Sequence, residues 1–309
     1  MKIAIELPTW LGDAVMVSPA IENIIAQYKN SKLIFIGSES SLNIFKNHPN
    51  FDSKHKIKKD IFSLFKISKQ VGEVDFFFSF RSSLRSRILL IFIKSRRKFQ
   101  FNKNTFFKGH QVQKYNDFVN SSLKKETLPG KLNIFLGELR KESSQKRILG
   151  INPGASYGSA KRWYPEYFAN VGIELANEFD LVIFGGKNEI DIAEDIEKRL
   201  KDFGIQNYLN LAGKTTLEEL VNHFNKLTVL VTGDSGPMHI AAAMNIPTIT
   251  IFGPTKVSET CQWQNKKSIN LFKKMPCQPC MKRSCPLVHH NCMKQILYSD
   301  VLRAIKKIT

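Results

Sequence analysis

Short β-branched apolar runs, each closing in a glycine-containing turn that leads into a helix-prone stretch, constrain this chain more than any other feature. The sharpest instance is Leu227-Thr228-Val229-Leu230-Val231, followed by Thr232-Gly233-Asp234-Ser235-Gly236-Pro237-Met238-His239 and the Ala-rich Ile240-Ala241-Ala242-Ala243-Met244. The run is short and bounded by turn formers, so it reads as a buried parallel strand. The alanines after it favour a helix. A strand that turns through Gly, Asp, Ser and Gly into a helix leaves backbone N–H groups at the positive end of the helix dipole. That geometry holds a phosphate.

The same pattern occurs in both halves. The first half opens with a strand from Ile3 to Leu7, the turn Pro8-Thr9-Trp10-Leu11-Gly12-Asp13 and a helix from about Ala14 to Tyr28. Strands follow at Lys32 to Gly37 and Val74 to Phe80, and the basic, aromatic stretch from Arg81 to Phe107 has no clear assignment. The polar Lys141 to Arg147 reads as a linker, which divides the chain into domains 1–145 and 146–309. The second half restarts with a strand from Ile148 to Asn152, the loop Pro153-Gly154-Ala155-Ser156-Tyr157-Gly158, and a helix from about Glu166 to Glu178. Further strands are expected at Leu181 to Phe184, Leu209 to Leu211 and Thr248 to Phe252. Helices are expected from about Glu189 to Lys201 and from near Thr216, where Thr215/Thr216 and Glu218/Glu219 are placed like an N-cap and its first turn. Alternating strands and helices imply parallel sheets covered on both faces, with ligands beyond the carboxyl ends of the strands. The last helix is allowed to pack back on the first domain.

A chain of 309 residues with 42% hydrophobic content can build two cores. No apolar run approaches the roughly 20 residues of a membrane span, and Glu6 interrupts the first apolar run, so no signal peptide is expected. A cytoplasmic protein is therefore expected. The net charge of +19 is uneven: residues 1–145 carry 25 Lys and Arg against 12 Asp and Glu, and residues 146–309 carry 21 against 15. General solubility explains such a charge, and so does an anionic partner. Four of five cysteines cluster as Cys277-x2-Cys280-x4-Cys285-x6-Cys292. They suit a tetrahedral structural zinc. The second pair lacks tight spacing, however, and reduced thiols packing a Pro-rich loop are the alternative.

Several residues can carry chemistry. Asp13, in a strand-to-helix turn, is either an N-cap or a general base. Lys161 follows a glycine loop, so its ammonium can reach a phosphate or stay solvated. Glu189, beyond Gly185-Gly186, sits where an acid accepts from ribose hydroxyls, or simply at a helix N-terminus. Asp234, Ser235, Gly236 and His239 are the densest group. No G-x-G-x-x-G or Walker motif occurs.

Taken together, Trp10-Leu11-Gly12-Asp13, Pro153-Gly154-Ala155 with Ala160-Lys161-Arg162-Trp163, Asn210-Leu211-Ala212-Gly213, and Asp234-Ser235-Gly236 with Met238-His239 resemble the bacterial lipopolysaccharide heptosyltransferases of glycosyltransferase family 9. The resemblance covers nearly the whole chain. It implies an α/β fold of the GT-B class: two Rossmann-like domains with parallel sheets facing across a cleft, the acceptor on the first and the donor on the second. The P-G-A and A-K-R-W-x-P arrangement points to the branch that adds the second heptose; the first-heptose branch, or another nucleotide sugar or acceptor, is the alternative. The resemblance further implies inverting transfer of heptose from ADP-heptose to an anionic, heptose-bearing Kdo-lipid A acceptor. Asp13 would be the base and Lys161 the cation opposite the pyrophosphate. Donor contacts would come from Gly12, Pro153, Gly154, Ala155, Glu189, Asp234, Ser235, Gly236 and His239. Arg81, Arg85, Lys108 and His110 would meet the acceptor's phosphates and carboxylates. No cofactor is expected to be required, with magnesium allowed as a stimulant. The expected enzyme is a monomer, peripheral at the inner face of the inner membrane. A nucleic-acid-binding protein using the basic first half is the non-enzyme alternative, and it leaves the paired turn motifs without a role.

Overall fold

The computed structural model describes residues 1–58, 60–136 and 146–309, so residues 141–145 of the expected linker lie outside the described residues. The chain divides into two compact units, residues 1–137 and 138–309.

The first unit runs β1 (Lys2–Glu6), α1 (Leu11–Met16), α2 (Ser18–Gln27), β2 (Lys32–Gly37), α3 (Glu39–Ile44), β3 (Phe51–Lys56), α4 (Phe62–Val71), β4 (Glu73–Ser79), α5 (Leu84–Phe92), β5 (Lys94–Gln100) and α6 (Gln111–Leu123). Its five strands are parallel, in the order β3-β2-β1-β4-β5. After their first residue β1 and β2 are wholly buried, as the central strands of a covered parallel sheet are. The edges differ. β3 alternates half-buried and exposed residues, and β5 is largely exposed Lys and Arg. Charged edges discourage pairing with another sheet, and they leave no apolar run for the sequence to reveal. The stretch that resisted assignment after Arg81 is α5 and β5. The expected helix from Ala14 to Tyr28 is two helices instead, because Pro19 cannot donate within a continuous helix. Pro19 sits in the first turn of α2, and the Ser18 hydroxyl donates to the Val15 carbonyl at 2.7 Å.

The second unit runs β6 (Ile148–Asn152), α7 (Pro165–Leu175), β7 (Asp180–Ile183), α8 (Ile190–Asp202), β8 (Tyr208–Asn210), α9 (Leu217–Phe224), β9 (Val229–Gly233), α10 (Gly236–Ala243), β10 (Thr248–Ile251), α11 (Val257–Thr260), β11 (Ser268–Leu271), α12 (Asn291–Lys294) and α13 (Tyr298–Ile308). Its six strands are also parallel, in the order β11-β10-β9-β6-β7-β8. Thr216 caps α9 reciprocally with Glu219. α13 buries Val301, Ala304 and Ile305 in the core of this unit, so its apolar face is committed there.

Each sheet grows outward from its first strand and then reverses to that strand's other side. The reversal falls between β1 and β4 in the first unit and between β6 and β9 in the second. Such a switch point opens a crevice beyond the carboxyl ends of the strands. In both units the last register pair beside the crevice is polar: Glu6 opposite Ser79, and Asn152 opposite Thr232.

Trp163 anchors the chain leading from the Lys161 loop into α7. It is fully buried, packs edge-on against Phe168 with centroids 4.8 Å apart, and donates its indole N–H to the Ile296 carbonyl at 2.8 Å. Trp163→Ala should therefore cost about 3–5 kcal/mol of stability, read as a lowered midpoint in chemical denaturation.

Candidate active site

In the second unit the loops after β6 and β9 flank the switch point, and one buried ion pair ties them together. Lys161 Nζ lies 2.6 Å from Asp234 Oδ2 and 3.2 Å from the Asp234 carbonyl. Both side chains are largely buried. Thr255, just beyond β10, donates its hydroxyl to the same Oδ2 at 2.6 Å. Behind this pair, Asn152 Nδ2 donates to the Thr232 hydroxyl at 3.0 Å and reaches Ser235 Oγ at 3.4 Å. Ser235 is the N-cap of α10, and Pro237 in its first turn has no N–H to offer. The first-turn N–H groups at Ser235 and Gly236 have no acceptor within the helix, as at any helix start. A helix start of this kind presents the positive end of its dipole.

Lys161 carries three N–H donors, and two are committed to Asp234. Its ammonium also stands 4.8 Å from the Tyr157 ring centroid. The loop itself is braced from behind. Tyr157 donates to the Met281 carbonyl at 2.7 Å, Ala160 N–H donates to the Arg283 carbonyl at 3.0 Å, and His290 bridges the Ala160 carbonyl and the Tyr164 hydroxyl. A Cβ at Gly158 would collide with the Arg283 carbonyl, so only glycine permits that approach.

Pro153, Gly154 and Ala155 are buried, and Glu189 lies directly over Gly154, where any Cβ would overlap its carboxylate. Glu189 Oε2 accepts from the Gly186 N–H at 2.7 Å within the turn after β7, which holds the carboxylate in place over Gly154 of the loop after β6. The Asn210 to Gly213 motif is a brace of the same kind. Asn210 donates to Glu197 at 2.7 Å and accepts from Ala212 N–H, and Gly213 N–H donates to the Gly185 carbonyl at 2.9 Å. That hydrogen bond from Asn210 holds the Glu197 carboxyl below its ordinary value. His239 is buried in α10.

In the first unit Asp13 lies in the first turn of α1, beyond β1, and accepts from the Tyr115 hydroxyl at 3.3 Å. Burial pushes the Tyr115 phenol well above its ordinary value, with the Asp13 carboxylate adding to the effect, so it stays a donor. Gly12 is buried within α1. On the β4 side of the crevice, Arg81 lies 3.5 Å from Glu6, which is buried and accepts from the Ser79 and Ser86 hydroxyls at 2.6 and 2.8 Å. Burial raises the Glu6 carboxyl, opposed by Ser79, Arg81 and Ser86.

Several of the expected site residues have partners within the chain. The Asp234 carboxylate is held by Lys161 and Thr255, which makes it the charge partner of the lysine. Arg85 donates to the carbonyls of Lys58 and Asp60, and His110 caps α6 by accepting from Val112 N–H at 3.2 Å, so both serve as local braces. Lys108 is exposed beside the Phe107 ring, 5.7 Å from its centroid. Cys277, Cys280, Cys285 and Cys292 line one small cavity of about 20 Å³ with His289 and His290. All four are free thiols, and among the described residues no three His, Cys, Asp or Glu side chains are grouped as metal ligands. Burial and the neighbouring cysteines push the Cys292 thiol up to about 11, which favours the neutral form. The four thiols and the two imidazoles therefore share one cavity of the Pro-rich loop.

Thr255, Asn152 and Tyr115 belong to these sites and were not singled out from sequence. Thr255 follows Gly253-Pro254 at a strand end, a signal that could have found it; Tyr115 stands 102 residues from Asp13 with no such signal.

The profile of "Glycosyltransferase family 9 (heptosyltransferase)" matches residues 64–290, well over half of the chain. The chain belongs to glycosyltransferase family 9. It is a glycosyltransferase of that family, and its two parallel-sheet units are of the GT-B fold class. It is 41% identical over 320 aligned positions to lipooligosaccharide heptosyltransferase 2 of Campylobacter jejuni, covering 100% of this chain and 99% of that one. Among solved structures, ADP-heptose LPS heptosyltransferase II of E. coli aligns with a TM-score of 0.80 at 20% identity, over 100% of this chain and 98% of that one. A family 9 glycosyl transferase from Veillonella parvula aligns at 0.85 and 19%, over 99% and 96%. No described helix of this family 9 chain is long and apolar enough to cross a membrane.

Removing one member of a buried ion pair strands the other. Asp234→Ala should cost about 3–5 kcal/mol, and the Lys161→Met, Asp234→Leu double variant should recover part of that loss. Chemical denaturation of the three proteins measures both effects.

Proposed function

We propose that this glycosyltransferase moves heptose from ADP-heptose to a lipid-linked inner-core acceptor that already bears one heptose, at the inner face of the inner membrane. The observation that carries this reading is the end-to-end 41% identity to a lipooligosaccharide heptosyltransferase 2. The local chemistry of each unit is consistent with it.

On the second unit, the α10 N-terminus and the remaining N–H of Lys161 meet the diphosphate of the donor. Glu189, seated over Gly154, is placed for the ribose. On the first unit, Asp13 takes the proton of the acceptor hydroxyl while Tyr115 keeps the carboxylate oriented. The hydroxyl oxygen forms a bond to the anomeric carbon as the bond from that carbon to the phosphate oxygen breaks, and ADP departs with the electron pair. Negative charge grows on the leaving phosphate, where fixed N–H groups and the helix dipole act without reorganising. Direct displacement by one base inverts the anomeric configuration. Arg81, held beside Glu6 near the same crevice, is positioned for the acceptor's phosphates and carboxylates. The cationic groups this step uses are built into the chain, with magnesium allowed as a stimulant.

Asp13→Asn should lower kcat/KM by about 10²–10⁴-fold, the usual contribution of a positioned base, and leave ADP affinity within about twofold. Calorimetric titration with ADP beside a radiolabelled transfer assay separates the two. Retention of more than a tenth of the turnover would exclude Asp13 as the base.

A further inference from the structure

The first unit carries a surface that the transfer chemistry leaves unused. α4 and α5 pack side by side on one face of the five-stranded sheet through Leu64, Ile67, Val71 and Leu89. Their outer faces are not polar. On α4, Phe62, Phe65, Lys66 and Lys69 are exposed at spacings of three and four, so they share one stripe. On α5, Leu84, Arg87 and Ile91 do the same. Phe62 is 87% exposed, Leu84 71% and Ile91 73%, values at which single apolar residues are ordinary but a run of them on two adjoining helices is not.

Cations interleave with these apolar groups. Lys69 Nζ stands 5.3 Å from the Phe65 centroid, and Phe65 meets Phe92 of α5 edge-on at 5.8 Å. Residues 58–98 hold eleven Lys and Arg against three Asp and Glu, namely Asp60, Glu73 and Asp75. These acids are engaged or distant from the stripes. Asp60 accepts from the Ser63 N–H at 2.6 Å, Asp75 accepts from the Lys2 N–H at 2.9 Å, and Glu73 starts β4 beyond the last turn of α4. The platform is also braced: Arg85 ties α5 to the chain before α4, and Lys98 donates to the Leu90 and Ile91 carbonyls at the end of α5.

We infer that the paired outer faces of α4 and α5 are a docking surface for an anionic bilayer. Phe62, Phe65, Leu84 and Ile91 enter the headgroup boundary while Lys66, Lys69 and Arg87 meet the lipid phosphates. Apolar groups flanked by cations on a surface helix suit that interface, and each cation adds attraction to anionic lipid. The inference deepens the reading of a lipid-linked acceptor and rests on it for its biological sense, but vesicle binding is measured without donor or acceptor. A failure of the transfer reading and a failure of this docking face therefore appear in different assays.

The test is flotation of the full chain with vesicles of phosphatidylglycerol and phosphatidylethanolamine, and with phosphatidylcholine vesicles as the neutral comparison. Wild type should float with the anionic vesicles, lose them in high salt and ignore the neutral ones. Phe62→Ser with Ile91→Ser, and separately Lys66→Glu with Arg87→Glu, should each weaken anionic binding by about tenfold or more. ADP affinity and circular dichroism should stay at wild-type values in both. Wild-type binding by either double variant, or equal binding to neutral vesicles, would overturn the inference. So would a change of oligomeric state with vesicle binding unchanged, which would make the face a contact between copies.

Discussion

The buried pair of Lys161 and Asp234 is the interaction on which the second unit's site depends. Neither charge would be tolerated alone at that depth, since a desolvated ion without a partner costs several kcal/mol. The pair also joins three separate segments: the loop after β6 supplies Lys161, the start of α10 supplies Asp234, and the segment beyond β10 supplies Thr255. Fixing these segments together fixes where the α10 N-terminus lies relative to the lysine. A transferase that stabilises a leaving diphosphate needs that relation set before the reaction begins.

The first unit solves a related problem with different groups. At its switch point the buried carboxylate of Glu6 is shared by Ser79, Ser86 and Arg81, so a strand end, the start of α5 and a basic side chain are tied to one acid. Asp13 stands beyond β1, the strand that ends in Glu6, with a buried phenol donating to it. Both switch points therefore carry a hydrogen-bonded polar pair in the last register position of two adjacent parallel strands. Both also keep their functional side chains on short turns whose ends are pinned by the sheet.

Much of this was legible in the sequence because it follows from periodicity. The central strands are continuous apolar runs, and the turns at Asp13, Pro153 and Asp234 sit at their carboxyl ends. The edge strands β3 and β5 were not legible, since charged residues half-exposed at a sheet margin have no pattern of their own. The partners of the site residues were hidden for another reason. Nothing local in Asp234 says that its carboxylate turns inward to Lys161, and Tyr115 reaches Asp13 only through the packing of α6. The local partners of His110 and Arg85 were hidden too, because a residue type suited to binding anions serves equally well as a helix cap or a loop tie. The cysteine spacing left a ligand set and a packed loop both open, and the folded loop gathers the four thiols around one small cavity.

Membership of glycosyltransferase family 9 rests on the profile match and on a full-length relative, and the donor and acceptor are the proposal built on it. Mass analysis of products formed from ADP-heptose and a defined Kdo-lipid acceptor bearing one heptose tests that proposal most directly, with UDP- and GDP-sugars run in parallel. The account predicts a product heavier by one heptose, with inverted anomeric configuration and only from the ADP donor. Preferential use of a UDP- or GDP-sugar, or no transfer to the heptose-bearing acceptor, would contradict it.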